Sequence, residues 1–117
     1  MEITKEMNEE IQELQILEHN LHELIMEKQS FQVELNEINN AIEELKKAAG
    51  DVYKMLGGIM IQASPDSLSK EILERKKVLE LRISAIEKQE KLAEEKTEKL
   101  RKKISSSFSE KNKDFRS

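Results

Sequence analysis

Apolar residues recur along the N-terminal part of the chain at alternating steps of four and three. Ile3, Leu17, Leu24, Phe31, Ile38 and Leu45 fall on one heptad position, and Met7, Leu14, Leu21, Leu35, Ile42 and Ala49 on the other. Only Glu10 and Lys28 break the run, so 12 of 14 seam positions are apolar. A seam sustained this long predicts a coiled-coil helix over 1–49, with Gly50 as its C-terminal stop. Such a helix is roughly 70 Å long at 1.5 Å per residue and needs a partner helix along its seam. The pattern resumes after Ser64-Pro65-Asp66 at Leu68, Ile72, Leu79, Ile83, Ile86, Ala93, Leu100 and Ile104, with Lys76, Glu90 and Thr97 as polar substitutions. Ser64 reads as an N-cap, Pro65 as the first helical residue and Asp66 as negative charge at the positive helix end. The second helix is expected over 65–108 and a disordered tail over 109–117. Two helices of similar length fold back as an antiparallel pair.

The connector, Asp51 to Ser64, is too long and too apolar for a simple helix–helix loop. Val52 to Leu56 and Ile59 to Ala63 are short runs rich in β-branched and large apolar side chains, separated by Gly57-Gly58. Two such runs around two glycines predict a β-hairpin over 51–63, its tight turn needing positive φ. A lone hairpin is marginal in water, so it should add to a sheet made by other chains. The competing expectation is a third short helical or irregular piece that caps the coiled coil. The fold class expected is thus mainly α: a long antiparallel coiled coil with one β-hairpin between its helices.

Composition agrees. The chain has 117 residues, enough for one domain, and 38% are charged against 37% hydrophobic and 3% aromatic. A compact globule needs more large apolar side chains than this. Residues 1–49 hold 12 Glu and four Lys, whereas residues 50–117 hold 16 Lys or Arg and 12 acids. An acidic helix beside a basic one has complementary flanks, which favours their pairing. The absence of cysteine excludes disulfides, thiol nucleophiles and zinc knuckles. The start Met-Glu-Ile-Thr-Lys-Glu has no secretory pattern, and no segment reaches the roughly 18 apolar residues of a membrane span, so the cytoplasm is expected.

The block Asp51-Val-Tyr-Lys-Met-Leu-Gly-Gly-Ile-Met-Ile61 after a heptad helix, with Leu79-Glu-Leu-Arg-Ile83 and Ile86-Glu-Lys-Gln-Glu90 in the second helix, resembles the beta-class prefoldin subunit of archaeal type. The likeness covers roughly residues 7 to 104. A single hairpin separates the beta class from the alpha class, which carries two. Gly58 stands where a polar residue would be unsurprising, and makes the turn more permissive. The resemblance implies a heterohexamer of two alpha-class and four beta-class subunits. Its hairpins, here Val52, Tyr53, Met55, Leu56, Gly57, Gly58, Ile59, Met60 and Ile61, join an intersubunit β-barrel platform from which coiled coils project. It further implies an ATP-independent holdase that captures unfolded proteins at the coiled-coil tips and delivers them to a group II chaperonin.

With both termini at the far end of the coiled coil, the tip residues are Ile3, Met7, Ile11, Leu14, Leu100, Ile104 and Phe108. Ile11 lies off the seam and Phe108 sits in a serine-rich run, so both are expected to be more exposed than the seam residues. Fraying near helix ends would expose adaptable apolar surface suited to clients of no fixed shape. The basic stretch Lys102 to Lys113 is either a contact for an acidic chaperonin surface or a solvated end.

No catalytic residue, metal or cofactor is expected. His19 and His22 share a helix face, but two ligands do not make a zinc site. The carboxylates lie on helix faces without a concave pocket, and Gly57-Gly58 has no P-loop spacing. Nucleic acid is not an expected partner, because Lys and Arg alternate with Glu rather than forming a stripe. The alternative function is a structural tether or adaptor, which would bind one folded partner tightly and ignore unfolded chains.

Overall fold

The first helix begins where a side chain can satisfy its leading backbone donors. Thr4 Oγ1 accepts a hydrogen bond from the Met7 N–H at 3.1 Å, and α1 runs over Lys5–Lys47. The computed structural model describes the backbone of residues 4–116 and the side chains of residues 4–109. At the other end of α1 the Ala48 N–H donates to the Leu45 carbonyl at 3.2 Å, a tightened final turn, and Gly50 takes a φ of 98°. The helix therefore stops two residues before the expected position 49, and Ala49, read as a seam residue, is exposed.

The strands β1 (Val52–Leu56) and β2 (Ile59–Ala63) follow, paired antiparallel from Val52 opposite Ala63 to Leu56 opposite Ile59. Gly57 and Gly58 have φ of 56° and 83°, the two left-handed residues that a two-residue hairpin turn requires. The connector is thus a hairpin, and the alternative of a third helical or irregular piece is set aside. The sheet has two strands, so each strand keeps one outer edge unpaired among the described residues.

The second helix, α2, spans Pro65–Arg116. Ser64 Oγ accepts from the Ser67 N–H at 3.2 Å, and Ser64 is the cap that the sequence suggested, with Pro65 and Asp66 in the first turn. The helix continues beyond the expected end at 108, through most of the segment read as a disordered tail. The reason is local: residues 109–116 hold no Gly or Pro, and Glu, Lys and Arg are good helix formers.

The chain packs as two units, Met1–Glu27 with Ile86–Ser117 (the terminal unit) and Lys28–Ala85 (the hairpin unit). Each turn of a paired helix touches only its immediate neighbours, so long helices divide into separately packed regions. In both units, every predicted seam position from Met7 to Leu45 and from Leu68 to Ile104 is buried or half-buried. Leu79 is fully enclosed and Ile83 is buried in the hairpin unit. Met7, Ile86 and Ile104 are buried in the terminal unit. Most other seam residues stay half-buried, because one partner helix covers only part of a side chain.

Ion pairs fix the helix directions. Glu10 meets Lys103 and Glu18 meets Arg101 in the terminal unit, while Glu34 meets Arg75 in the hairpin unit. Each takes its acid from α1 and its base from α2, as the charge asymmetry predicted. The partner numbers fall as the α1 numbers rise, which is antiparallel. The two solvent-accessible pairs, Glu18–Arg101 and Glu34–Arg75, contribute less than about 1 kcal/mol each, whereas the Glu10 carboxylate is buried. In the hairpin unit the Arg82 guanidinium also lies 5.7 Å from the centre of the Phe31 ring, a cation–π contact. Among the described residues, no helix is long and apolar enough to cross a membrane.

Candidate functional site

The hairpin shows how far its side chains are from being satisfied within one chain. Directly opposed residues of an antiparallel pair share a face. One face carries Tyr53, Met55, Met60 and Gln62, and the other carries Val52, Lys54, Leu56, Ile59, Ile61 and Ala63. Val52, Lys54 and Ala63 are half-buried and the rest are exposed. Met55 is 71% exposed, Met60 66% and Ile59 65%, values that belong to surface lysines rather than to strand residues. A contiguous exposed set of large apolar side chains marks an interaction surface.

One polar contact joins the hairpin to α2 and another bridges its two ends. The Lys54 ammonium donates to both carboxylate oxygens of Glu71 on α2, at 3.1 and 3.3 Å. The Gln62 amide donates to the Asp51 carboxylate across the strands. Beside β1 an apolar groove of about 510 Å³ opens, lined by Ile38, Ala41, Leu68 and Ile72 of the helices and by Tyr53, Met55 and Leu56 of the strand. The Arg75–Glu34 pair stands at its border, with the guanidinium donating through two nitrogens at 2.9 and 3.0 Å. That bidentate hydrogen bond holds the Glu34 carboxyl below its ordinary value, against a smaller opposing effect of burial.

The terminal unit places the remaining candidates. Met7 and Ile104 are buried in the seam, and Leu14 and Leu100 are half-buried beside it. Ile11 and Phe108 are also half-buried rather than open. Ile3 lies outside the described residues. Sequence reasoning missed the apolar side chains that are most exposed here: Ile16 at 62%, Leu92 at 58% and Met26 at 56%. Their signal was available in part, since Ile16, Met26 and Leu92 fall off the heptad seam, but off-seam position alone does not decide it, because Ile11 is half-buried.

Two polar residues lie inside the same seam. Glu10 is 8% exposed; its Oε1 meets the Lys103 ammonium at 3.3 Å and its Oε2 has no partner. Thr97 is 2% exposed and its hydroxyl is likewise unpartnered. His19 pairs with Glu23 at 3.1 Å along the surface of α1. Among the described residues, no group of three or more His, Cys, Asp or Glu is placed to hold a metal ion.

Comparison with known proteins fits this geometry. The sequence profile of the family described as "Prefoldin subunit" matches residues 8–111. Prefoldin subunit beta of Sulfurisphaera tokodaii is 35% identical over 104 residues, covering 87% of this chain and 83% of that protein. Prefoldin subunit beta of Saccharolobus islandicus is 34% identical over 106 residues, covering 89% and 84%. The crystal structure of the prefoldin beta subunit from Thermococcus strain KS-1 superposes with a TM-score of 0.81 at 29% identity, covering 91% of this chain and 95% of that one. Two long helices joined by one apolar hairpin, matched over nearly their whole length in sequence and in backbone, place the chain in the prefoldin family, among its beta subunits.

Proposed function

We propose that the chain is one subunit of an ATP-independent holdase. Its hairpin completes an intersubunit β-barrel in a heterohexamer of two alpha-class and four beta-class chains. The terminal units bind non-native clients through adaptable apolar side chains and pass them to a group II chaperonin in the cytoplasm. Weak contacts repeated on several subunits give avidity without tight binding at any one, which permits release without nucleotide.

The observation that carries this reading is the hairpin. Its apolar residues are exposed in the lone chain and its outer edges are unpaired, a state that association with further strands relieves. Off-seam Ile16, Met26 and Leu92 add apolar surface to the terminal unit. The test mixes the chain with an alpha-class partner and dilutes a guanidinium-denatured enzyme into the mixture without ATP. Six-chain assemblies and suppressed light scattering are expected. No assembly and no protection would overturn the proposal, and tight binding to one folded protein with indifference to unfolded chains would favour a tether.

A further inference from the structure

The terminal unit also holds a groove whose chemistry is not purely apolar. Leu17 of α1 and Leu100 of α2, both half-buried, line a space of about 310 Å³ together with Glu13, Lys96, Lys99 and Lys103. The three lysines are spaced by three and four residues, which sets them along one face of α2. Lys103 is engaged with Glu10 at 3.3 Å. Lys96 and Lys99 have no hydrogen-bond or ion-pair partner among the described residues. This differs from Arg101 on the same helix, which donates to Glu18 at 2.8 Å. Three lysines thus line the groove with one carboxylate, Glu13, around an apolar floor, and Lys103 is shared with Glu10 beyond it.

We infer that this groove receives an apolar side chain of a non-native client whose flanking residues are acidic. The inference rests on the client-capture reading and narrows it to a class of segment. The leucines supply a floor that does not discriminate among apolar side chains. The lysine stems extend that floor while their ammonium groups stay in water. A carboxylate beside the bound side chain gains charge-assisted hydrogen bonds from Lys96 and Lys99. Lysine suits the task because it is a mobile point charge and does not demand the fixed geometry that an arginine fork would impose on a disordered partner. A segment flanked by basic residues meets repulsion at the same rim.

Two dye-labelled peptides with one Leu-Phe-Leu-Leu centre, flanked by Asp and Glu in one and by Lys in the other, test this by fluorescence anisotropy against the full chain in its assembly. The acidic peptide is expected to bind about fivefold more tightly at low salt, the size that two exposed charge pairs supply. The gap should shrink to less than about twofold at 0.5 M salt, where screening acts within a few ångströms. It should shrink equally in the Lys96→Gln/Lys99→Gln variant, which keeps helix-compatible side chains, and return in Lys96→Arg/Lys99→Arg. Equal affinity for the two peptides, or a preference that survives the Gln variant, overturns the inference while leaving client capture intact. If neither peptide nor any denatured protein binds, both readings fail.

Discussion

Replacing Ile59 by aspartate should dissolve the assembly and leave the subunit folded. Ile59 is 65% exposed in the single chain and sits opposite Leu56 at the turn end of the hairpin. Burying such a side chain completely is worth ~1.5–3 kcal/mol, so the part left for association to bury is worth roughly 1–2 kcal/mol per copy. An aspartate there must also lose water on entering a sheet, a further cost of several kcal/mol when no cation pairs with it. A combined change of only ~3 kcal/mol weakens a contact more than a hundredfold. Sedimentation velocity with the alpha-class partner should show the proposed six-chain species lost across the micromolar range. Far-UV circular dichroism should stay near the wild-type signal, because the helices of 43 and 52 residues do not depend on this side chain. Gly57→Pro is an independent route to the same end, since a φ of 56° is closed to a ring fixed near −65°. Leu92→Asp, equally polar and nearly as exposed but in the terminal unit, is the control and should assemble normally. Wild-type sedimentation by Ile59→Asp at every concentration would refute the assembly role of the hairpin.

Other perturbations address the helices. Leu79→Ala removes a fully enclosed side chain and should cost ~2–5 kcal/mol, seen as a thermal midpoint lower by roughly 10 °C. Glu34 has its folded-state value lowered by Arg75, so its contribution is present above the unfolded value near 4.5 and is lost as pH falls through the lower folded value. Urea titrations should therefore show wild type ahead of Glu34→Gln at pH 7, with the gap closing in acid below about 4.5; a gap independent of pH refutes the role of that pair. Glu10→Leu should leave stability unchanged or raise it by ~1 kcal/mol, because a half-satisfied buried carboxylate gives way to seam packing and Lys103 is free to face water; a clear loss would show that the ion pair matters more than the seam.

Much of this architecture could be read from spacing alone. The seam positions that the alternation of four and three picks out between Met7 and Leu45 are all covered, though off-seam Ile11, Ile25 and Ala41 are half-buried too, and Gly57-Gly58 between two apolar runs gave the hairpin and its turn. What escaped depends on distance in space rather than in sequence. Glu10 looked like a simple flaw in the seam because its partner is Lys103, and the Lys54–Glu71 contact that fastens the hairpin is equally non-local. The C-terminal end of α1 also escaped, since Lys47 is set by competition between turns and caps that no periodicity records. The candidate binding residues were the least legible. Position near the termini suggested Met7 and Ile104, yet an apolar residue that fits a heptad is drawn into the seam, and the open surface falls to those that do not fit, such as Ile16 and Leu92.

The two unpaired edges of the hairpin have a consequence for supply. A copy made in excess of its partners presents backbone donors and acceptors on both outer edges, flanked by exposed Met55, Ile59 and Met60. Such an edge will template any extended chain, including another copy of itself. The orphan is therefore expected to be the aggregation-prone form, so that this chain should be tolerated in a cell only alongside the chains it pairs with.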